Sequence, residues 1–322
     1  KIGFTGVEDL GNGLKALFVL EAGFHADDGK IDDQLFSEQA FLGLTGGFGT
    51  AIAGRLVAPR HGFLAAIDPF GAGTVGQYRN VYNDVDYFDT GLLLADVDRV
   101  DNAVAYVSPS FGGFNITAAY ATQAIGQEGV NFVNPLLNSV DNENDAKVFT
   151  VLPRYTNGPL DVGVAYQRIK VKEVLTGTDD SDVKVDQWTV GGTYDFKVVK
   201  LGAYYDRYKA ELGLVDNDEE LKTWLVGVTV PFGKHAIQAS YSQSKFDDAS
   251  NDGTGKAKQW ALGYTYALSK RTNFYAAYSD ISNDNEKGNK ANKVQRGATV
   301  GDASNEGDTY QNGLQFGLKH TF

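Results

Sequence analysis

The groups in this chain that could do chemistry are four histidines, several acid clusters and a few basic residues set inside apolar runs. His25, His61, His235 and His320 show no metal-ligand spacing. There is no cysteine, which removes disulfides, thiolate metal sites and thiol nucleophiles together. Asp248 to Gly253 has the look of the first half of a calcium loop. Gln259 stands where a bidentate Glu is needed, and the segment runs on into an alternating stretch, so an EF-hand is rejected. Gly46, Gly47, Phe48 and Gly49 make a turn and not a phosphate cradle, because no helix is expected after them. No Ser-His-Asp set is suggested, and an enzyme is not expected. No cofactor is expected either. The acid clusters Asp27-Asp28, Asp32-Asp33, Asp179 to Asp182 and Asp216 to Glu220 could hold Ca²⁺ or Mg²⁺ weakly and bridge lipopolysaccharide phosphates, although solvated loop acids are the plainer reading.

The basic residues gain meaning from the elements that carry them. The chain has 322 residues with 38 Gly, 17 Tyr and 19 Phe but 7 Pro, a mixture suited to many short strands and tight turns. Net charge is −12, which argues against nucleic-acid binding. Mean hydropathy is −0.28, and no apolar run of about 18 residues could cross a membrane as a helix. A membrane β-barrel remains open, since only alternate residues of its strands meet lipid. No leader segment is evident, so a secreted form would be the mature one.

Alternation is the dominant pattern. Near the end of the chain Leu314, Phe316 and Leu318 share one face, against Gln315, Gly317 and Lys319. The same reading places strands near 1–7, 14–24, 36–45, 50–57, 101–109, 114–122, 146–155, 160–172, 183–196, 199–210, 219–230, 235–247, 257–268, 272–281 and 308–322. Connections alternate in length: short turns near 8–13, 46–49, 110–113, 156–159, 231–234 and 269–271; long polar loops at 25–35, 123–145, 173–182, 211–218, 248–256 and 282–307; and the longest at 58–100. Tight turns at one end and long loops at the other fit a barrel of the bacterial outer membrane, with aromatics such as Trp188, Trp224 and Trp260 near strand ends. Fifteen runs is an odd number for such a barrel, and the chain opens inside one, so a sixteenth strand is expected to precede residue 1. On this parity Arg55, read against Ile52 and Leu56 as lipid-facing, should point into the lumen; Lys15, Glu21 and Lys319 should do the same.

The residues also resemble a known family. The opening Lys1-Ile2-Gly3-Phe4-Thr5-Gly6 with the hairpin to Ala16 resembles the second and third strands of general porins of the neisserial and betaproteobacterial type. The hairpin Gln39 to Leu56, the strand Asp101 to Phe114 and the terminal Phe322 resemble further parts of that family, in the same order over the whole chain. The resemblance implies one transmembrane domain over 1–322, a sixteen-stranded all-β antiparallel barrel, a homotrimer, and a third external loop (58–100) folded into the pore. It implies a passive, water-filled outer-membrane channel for ions and small hydrophilic solutes, in contact with membrane lipid and lipopolysaccharide. Asp68, Asp84, Asp86 and Asp89 would be acids of the waist, with Arg55 opposite and Arg99 and Arg154 as further basic candidates. Glu38 stands where the neisserial type carries Arg, and Val19 and Val107 where related porins carry basic residues, so the expected selectivity shifts toward cations. A substrate-specific channel, with the apolar stretch Phe63 to Phe70 lining an affinity site, is the alternative; an adhesive role for the loops is compatible with either.

Overall fold

The computed structural model describes residues 1–24, 29–31, 34–71, 73–82, 96–124, 146–171, 183–212, 217–248, 253–286 and 312–321. Among these, fifteen strands form one antiparallel sheet in sequence order, each paired to the next. They are β1 (Ile2–Gly11), β2 (Leu14–Ala22), β3 (Gln39–Gly46), β4 (Gly49–Val57), β5 (Arg99–Val107), β6 (Phe114–Ala121), β7 (Ala146–Asn157), β8 (Leu160–Val171), β9 (Val183–Asp195), β10 (Lys200–Leu212), β11 (Asn217–Phe232), β12 (His235–Asp248), β13 (Gly253–Ala267), β14 (Thr272–Glu286) and β15 (Asn312–His320). No described helix is long and apolar enough to cross a membrane.

Turn chemistry sets the register. The first hairpin turns at Asn12 and Gly13 with φ of 51° and 77°, a left-handed pair that Asn and Gly tolerate. That turn is tighter than the 8–13 expected, because β1 continues to Gly11 through a bulge. In β14 the strand runs to Glu286, past the 281 read from the sequence.

The two faces of the sheet differ as the pleat requires. On β9 Gln187 and Thr189 are buried, whereas Trp188 and Val190 are half exposed. On β10 Tyr204, Asp206 and Tyr208 are buried and Leu201 and Tyr205 exposed. The outward face carries the large apolar residues, including Phe316, Leu318, Val104 and Trp260. Part of the inward face is covered by residues 58–71 and 73–82, in the chain between β4 and β5. This segment forms helix α1 (Pro59–Ile67), begun by Pro at its first turn, and a 3-10 turn at Tyr78–Val81. The sequence reading held no helix there. Helix α1 packs on β6 to β10, and the turn packs on β12 and β13.

Candidate functional site: the loop folded against the inner wall

The inner wall has a berth for this loop. Phe63 lies over Gly163 on β8, Ile67 over Gly191 and Gly202 on β9 and β10, Pro69 over Gly227 on β11, and Phe70 over Gly263 on β13. Each glycine has the inward parity of its strand, and a side chain there would occupy space the loop already fills. Phe63, Leu64 and Ile67 are buried as a result, and the apolar stretch noted in the sequence is wall packing.

Polar contacts carry the loop farther round. Gln259 on β13 donates from Nε2 to the Gly76 carbonyl at 3.0 Å and accepts from Asn80 Nδ2 at 2.7 Å. Ser279 on β14 donates to the Val75 carbonyl at 2.6 Å, and the Val75 N–H donates to Gln315 Oε1 on β15 at 3.0 Å. The segment therefore crosses the interior from β4 to β15.

Charged residues bind it in a continuous chain. Lys1 Nζ lies 2.5 Å from Glu38 Oε2, and Glu38 also pairs with Arg99. Arg99 approaches Asp98 at 3.9 Å, and Asp98 pairs with Arg79 at 2.9 Å. Arg79 pairs with Asp96 at 2.8 Å, and Asp96 with Arg60 at 3.3 Å. Arg60 Nη2 reaches Asp206 on β10 at 3.0 Å, an ion pair off hydrogen-bonding geometry. Four cations (Lys1, Arg99, Arg79, Arg60) thus alternate with four carboxylates (Glu38, Asp98, Asp96, Asp206). Arg60, Asp96 and Asp206 are buried, and isolated charges in such a place would be costly. Asp206 also accepts from Gln187 Nε2 at 3.1 Å and from the Thr189 hydroxyl, and the Arg60 guanidinium stands 5.4 Å over the Tyr82 ring.

Electrostatics follow from these partners. Burial pushes the Asp96 carboxyl upward, but His61, Arg60 and Arg79 outweigh it and hold it at about 2. Burial works against the Arg60 charge and is outweighed by Asp206 and Asp96, so its pKa is raised. Glu38 is likewise partly buried and held below its usual range by Lys1 and Arg99. Asp68 is different. Its partners are backbone N–H groups, Phe70 to Oδ1 at 3.1 Å and Tyr78 to Oδ2 at 2.7 Å, and burial pushes its pKa up to about 7 against them. Tyr78 joins Asp68 to the charge chain, since its hydroxyl lies 2.6 Å from His61 Nδ1 and 3.3 Å from both Asp96 oxygens.

The residues picked from the sequence fall in several places. Glu38 and Arg99 belong to the charge chain, and Asp68 joins it through Tyr78. Arg55 pairs with Asp101 at 2.5 Å and donates to the Ser37 carbonyl at 2.6 Å. The parity argument for Arg55 needs correction. Leu56 is buried with the loop cluster and Ile52 packs against that cluster, so both face inward; Arg55 shares the outward parity of Ala51 and Ala53, beside a bulge. Glu21 accepts from Gln39 Nε2 at 3.0 Å toward the loop end of the sheet. Lys15 and Lys319 lie near the opposite, turn end, away from the loop. Val19 pairs with Phe41 and Val107 with Thr50. Arg154 forms a local pair with Asp161 at 2.6 Å. Asp84, Asp86, Asp89 and Phe322 lie outside the described residues, as do the acids at 27, 28, 32, 33, 179, 180, 182 and 216. The described residues contain no group of three potential metal ligands.

Arg60, Arg79, Asp96 and Asp206 were missed. Asp206 had a legible signal: a carboxylate in mid-strand, between inward tyrosines at 204 and 208. Arg60 had a weaker one, following the Pro59 that starts α1.

A fifteen-stranded antiparallel sheet in sequence order, with apolar residues outside and a charged loop packed inside, defines an outer-membrane channel-type barrel. The match to known proteins is consistent with that class: residues 1–286 fit the model of the Gram-negative porin family, and the chain belongs to this family, whose members are integral to the outer membrane. An outer membrane porin protein of Bordetella pertussis is 34% identical over 210 residues, covering 64% of this chain and 51% of that protein. Outer membrane porin protein 32 of Delftia acidovorans is 31% identical over 223 residues, 66% of this chain and 56% of that one. The chain thus spans about half the length of the curated relatives it matches. An anion-selective porin from Comamonas acidovorans superposes with a TM-score of 0.73 at 26% identity, covering 99% of this chain and 88% of its own. OmpT of Vibrio cholerae shares the fold at a TM-score of 0.63 and 15% identity.

Proposed function

We propose that this protein is a passive, water-filled channel for ions and small hydrophilic solutes, and not an enzyme. The observation that carries the reading is the loop between β4 and β5, laid across the inner wall from β4 to β15 and held there by glycine contacts and the charge chain. A segment placed so narrows the path and presents polar groups to it, which is what selectivity in a diffusion pore needs. The constriction includes Asp68 and the Glu38–Arg99 pair; Glu21 lines the outer mouth, and Lys15 and Lys319 the opposite mouth.

Selectivity is weakly cationic in this reading. The arginines of the loop, Arg60 and Arg79, are matched by carboxylates within hydrogen-bonding reach, so the chain charge of −12 sets the sign. The Comamonas protein, described as anion-selective, provides the contrast. Planar-bilayer recording in a salt gradient tests both statements. Stepwise conductance with a small cation-directed reversal potential is expected; a clear anion-directed potential overturns the preference, and absence of steps overturns the channel.

The partners of this reading are membrane lipid, lipopolysaccharide and two further copies of the chain. Weak Ca²⁺ or Mg²⁺ binding at the external acid clusters belongs to it as well.

A further inference from the structure

The turn end of the sheet over β11 to β15 carries a charge arrangement that the channel reading leaves unused. Residues 223–246, 253–279 and 312–322 include the turn-side halves of these strands and the turns that join them, and they hold no Asp or Glu. In a chain with a net charge of −12 the cations of this end stand without acids beside them. They are Lys234 in the turn from β11 to β12, and Lys270 and Arg271 in the turn from β13 to β14. All three are exposed, and none forms an ion pair among the described residues. Lys1, Arg99, Arg79 and Arg60, by contrast, each have a carboxylate. The Ala267 N–H donates to the Lys234 carbonyl at 2.8 Å, and the Thr321 N–H to the Arg271 carbonyl at 2.8 Å, so the two turns and the end of β15 make one continuous rim. The turns are two strands apart, about 10 Å along that rim.

The wall beside this rim is built in rungs. Phe232, His235, Tyr266, Phe274 and Leu318 stand opposite one another in register across β11 to β15. They share the outward parity of their strands, and Phe232, Phe274 and Leu318 are exposed. The next rung away from the turns is Val230, Ile237, Tyr264, Ala276 and Phe316. An aromatic rung beside an apolar one marks the border between headgroups and hydrocarbon. Tight turns lie on the periplasmic side of such barrels, so the rim sits at headgroup level in the periplasmic leaflet. His235 is the one imidazole of its rung. Its ring stacks on Phe232 with centroids 5.2 Å apart and planes 10° apart, and its Nδ1 lies 2.6 Å from the Tyr264 hydroxyl. A hydroxyl donating to Nδ1 leaves the ring proton on Nε2. Nε2 has no hydrogen bond among the described residues, so a donor stands between the cations and the apolar wall without an acceptor.

We propose that Lys234, Lys270, Arg271 and His235 form a docking site for a two-phosphate phospholipid of the periplasmic leaflet, the class of cardiolipin, with its acyl chains over Ile237, Tyr264 and Phe316. The inference rests on the outer-membrane channel reading given above. A phosphate held by Lys270 and Arg271 leaves Lys234, in the neighbouring turn, for a second one. Two phosphates joined by one short glycerol link occupy both turns together. The His235 Nε2–H then donates to a phosphate oxygen at the edge of the apolar wall. A soluble acidic partner would meet the turns alone and leave the His235 donor and the apolar rungs unused.

The test uses the full chain refolded in lipid-free zwitterionic detergent and titrated with cardiolipin, phosphatidylglycerol or phosphatidylethanolamine in mixed micelles. Bound lipid is counted by native mass spectrometry, with thermal unfolding followed alongside. Wild type should retain cardiolipin over phosphatidylglycerol by about tenfold, and phosphatidylethanolamine least of the three. Lys234→Gln/Lys270→Gln/Arg271→Gln should lose that preference, and Lys234→Arg/Lys270→Arg should keep it. His235→Phe, which preserves the aromatic rung, should weaken cardiolipin retention by about threefold or more. Lys234→Gln alone serves if the triple variant does not fold. Equal retention of cardiolipin and phosphatidylglycerol by wild type, or a preference that survives the Gln changes, overturns the proposal. So does binding to purified peptidoglycan sacculi that the Gln changes abolish, if cardiolipin shows no preference, because the rim then serves a soluble partner. Conductance recorded on the same wild-type sample separates the readings: channels without cardiolipin preference overturn only the docking site, and the preference without channels overturns only the pore.

Discussion

Gly227 on β11 lies directly under the Pro69 ring, so close that a Cβ added to the glycine would stand 2.6 Å from Pro69 Cγ and nearer still to Cδ. The ring is rigid and the strand is hydrogen-bonded on both sides, so neither can yield easily. Gly227→Val should therefore lift the loop off the wall toward the lumen. A fall in single-channel conductance is expected, with a loss of about 1–3 kcal/mol in loop docking. Unchanged conductance together with unchanged thermal stability would show that the berth does not position the loop.

Arg60 joins the loop to the wall through the buried Asp206 on β10, and pairs within the loop with the buried Asp96. Arg60→Met leaves Asp206 facing Thr189 and Gln187 with no cation, and leaves Asp96 to Arg79 and His61. Removing one partner of a buried ion pair costs about 3–5 kcal/mol. The expected result is protease cleavage between residues 58 and 98 in a barrel that otherwise stays folded. Protection equal to wild type would count against the pair as the loop's anchor.

Asp68 introduces a pH dependence. Its folded pKa of about 7 lies above the ordinary 3.8, so the folded loop binds the proton more tightly than the unfolded chain does. The stabilisation is fully present below the ordinary value and is lost as pH rises through 7. Current fluctuations in the open channel should increase between pH 5 and pH 8 in wild type. Asp68→Asn, which cannot ionise, should flatten that change; a pH response of the same size in the variant would assign it to another group.

Asp98 tests the neutrality of the charge chain, because it separates Arg79 from Arg99 and is the most exposed of the acids. Asp98→Asn leaves one cation in excess at the constriction. The reversal potential in a salt gradient should move in the anion direction. No movement would place this part of the chain away from the ion path.

Strand order and turn positions were readable because the pleat forces a two-residue period and the turns need Gly or Asn at fixed places. Each of the fifteen runs became a strand, with ends displaced where a bulge or an extended hairpin intervened. Arg55 shows where such reading fails. Ile52 and Leu56 are apolar because a loop covers them, and parity cannot distinguish a loop from lipid as the apolar neighbour. The partners of the charge chain were hidden for a related reason. Arg60 and Asp206 are 146 positions apart, and only the folded loop brings them together.

The alternation along the charge chain has one further consequence. The described part of the loop carries Arg60 and Arg79 against Asp96 and Asp98, with Asp68 neutral in its protonated form. A transmembrane potential does work of about 2.3 kcal/mol per elementary charge per 100 mV, and only on net charge that is displaced. Displacing these paired residues together moves no net gating charge, so they give voltage no handle on the constriction.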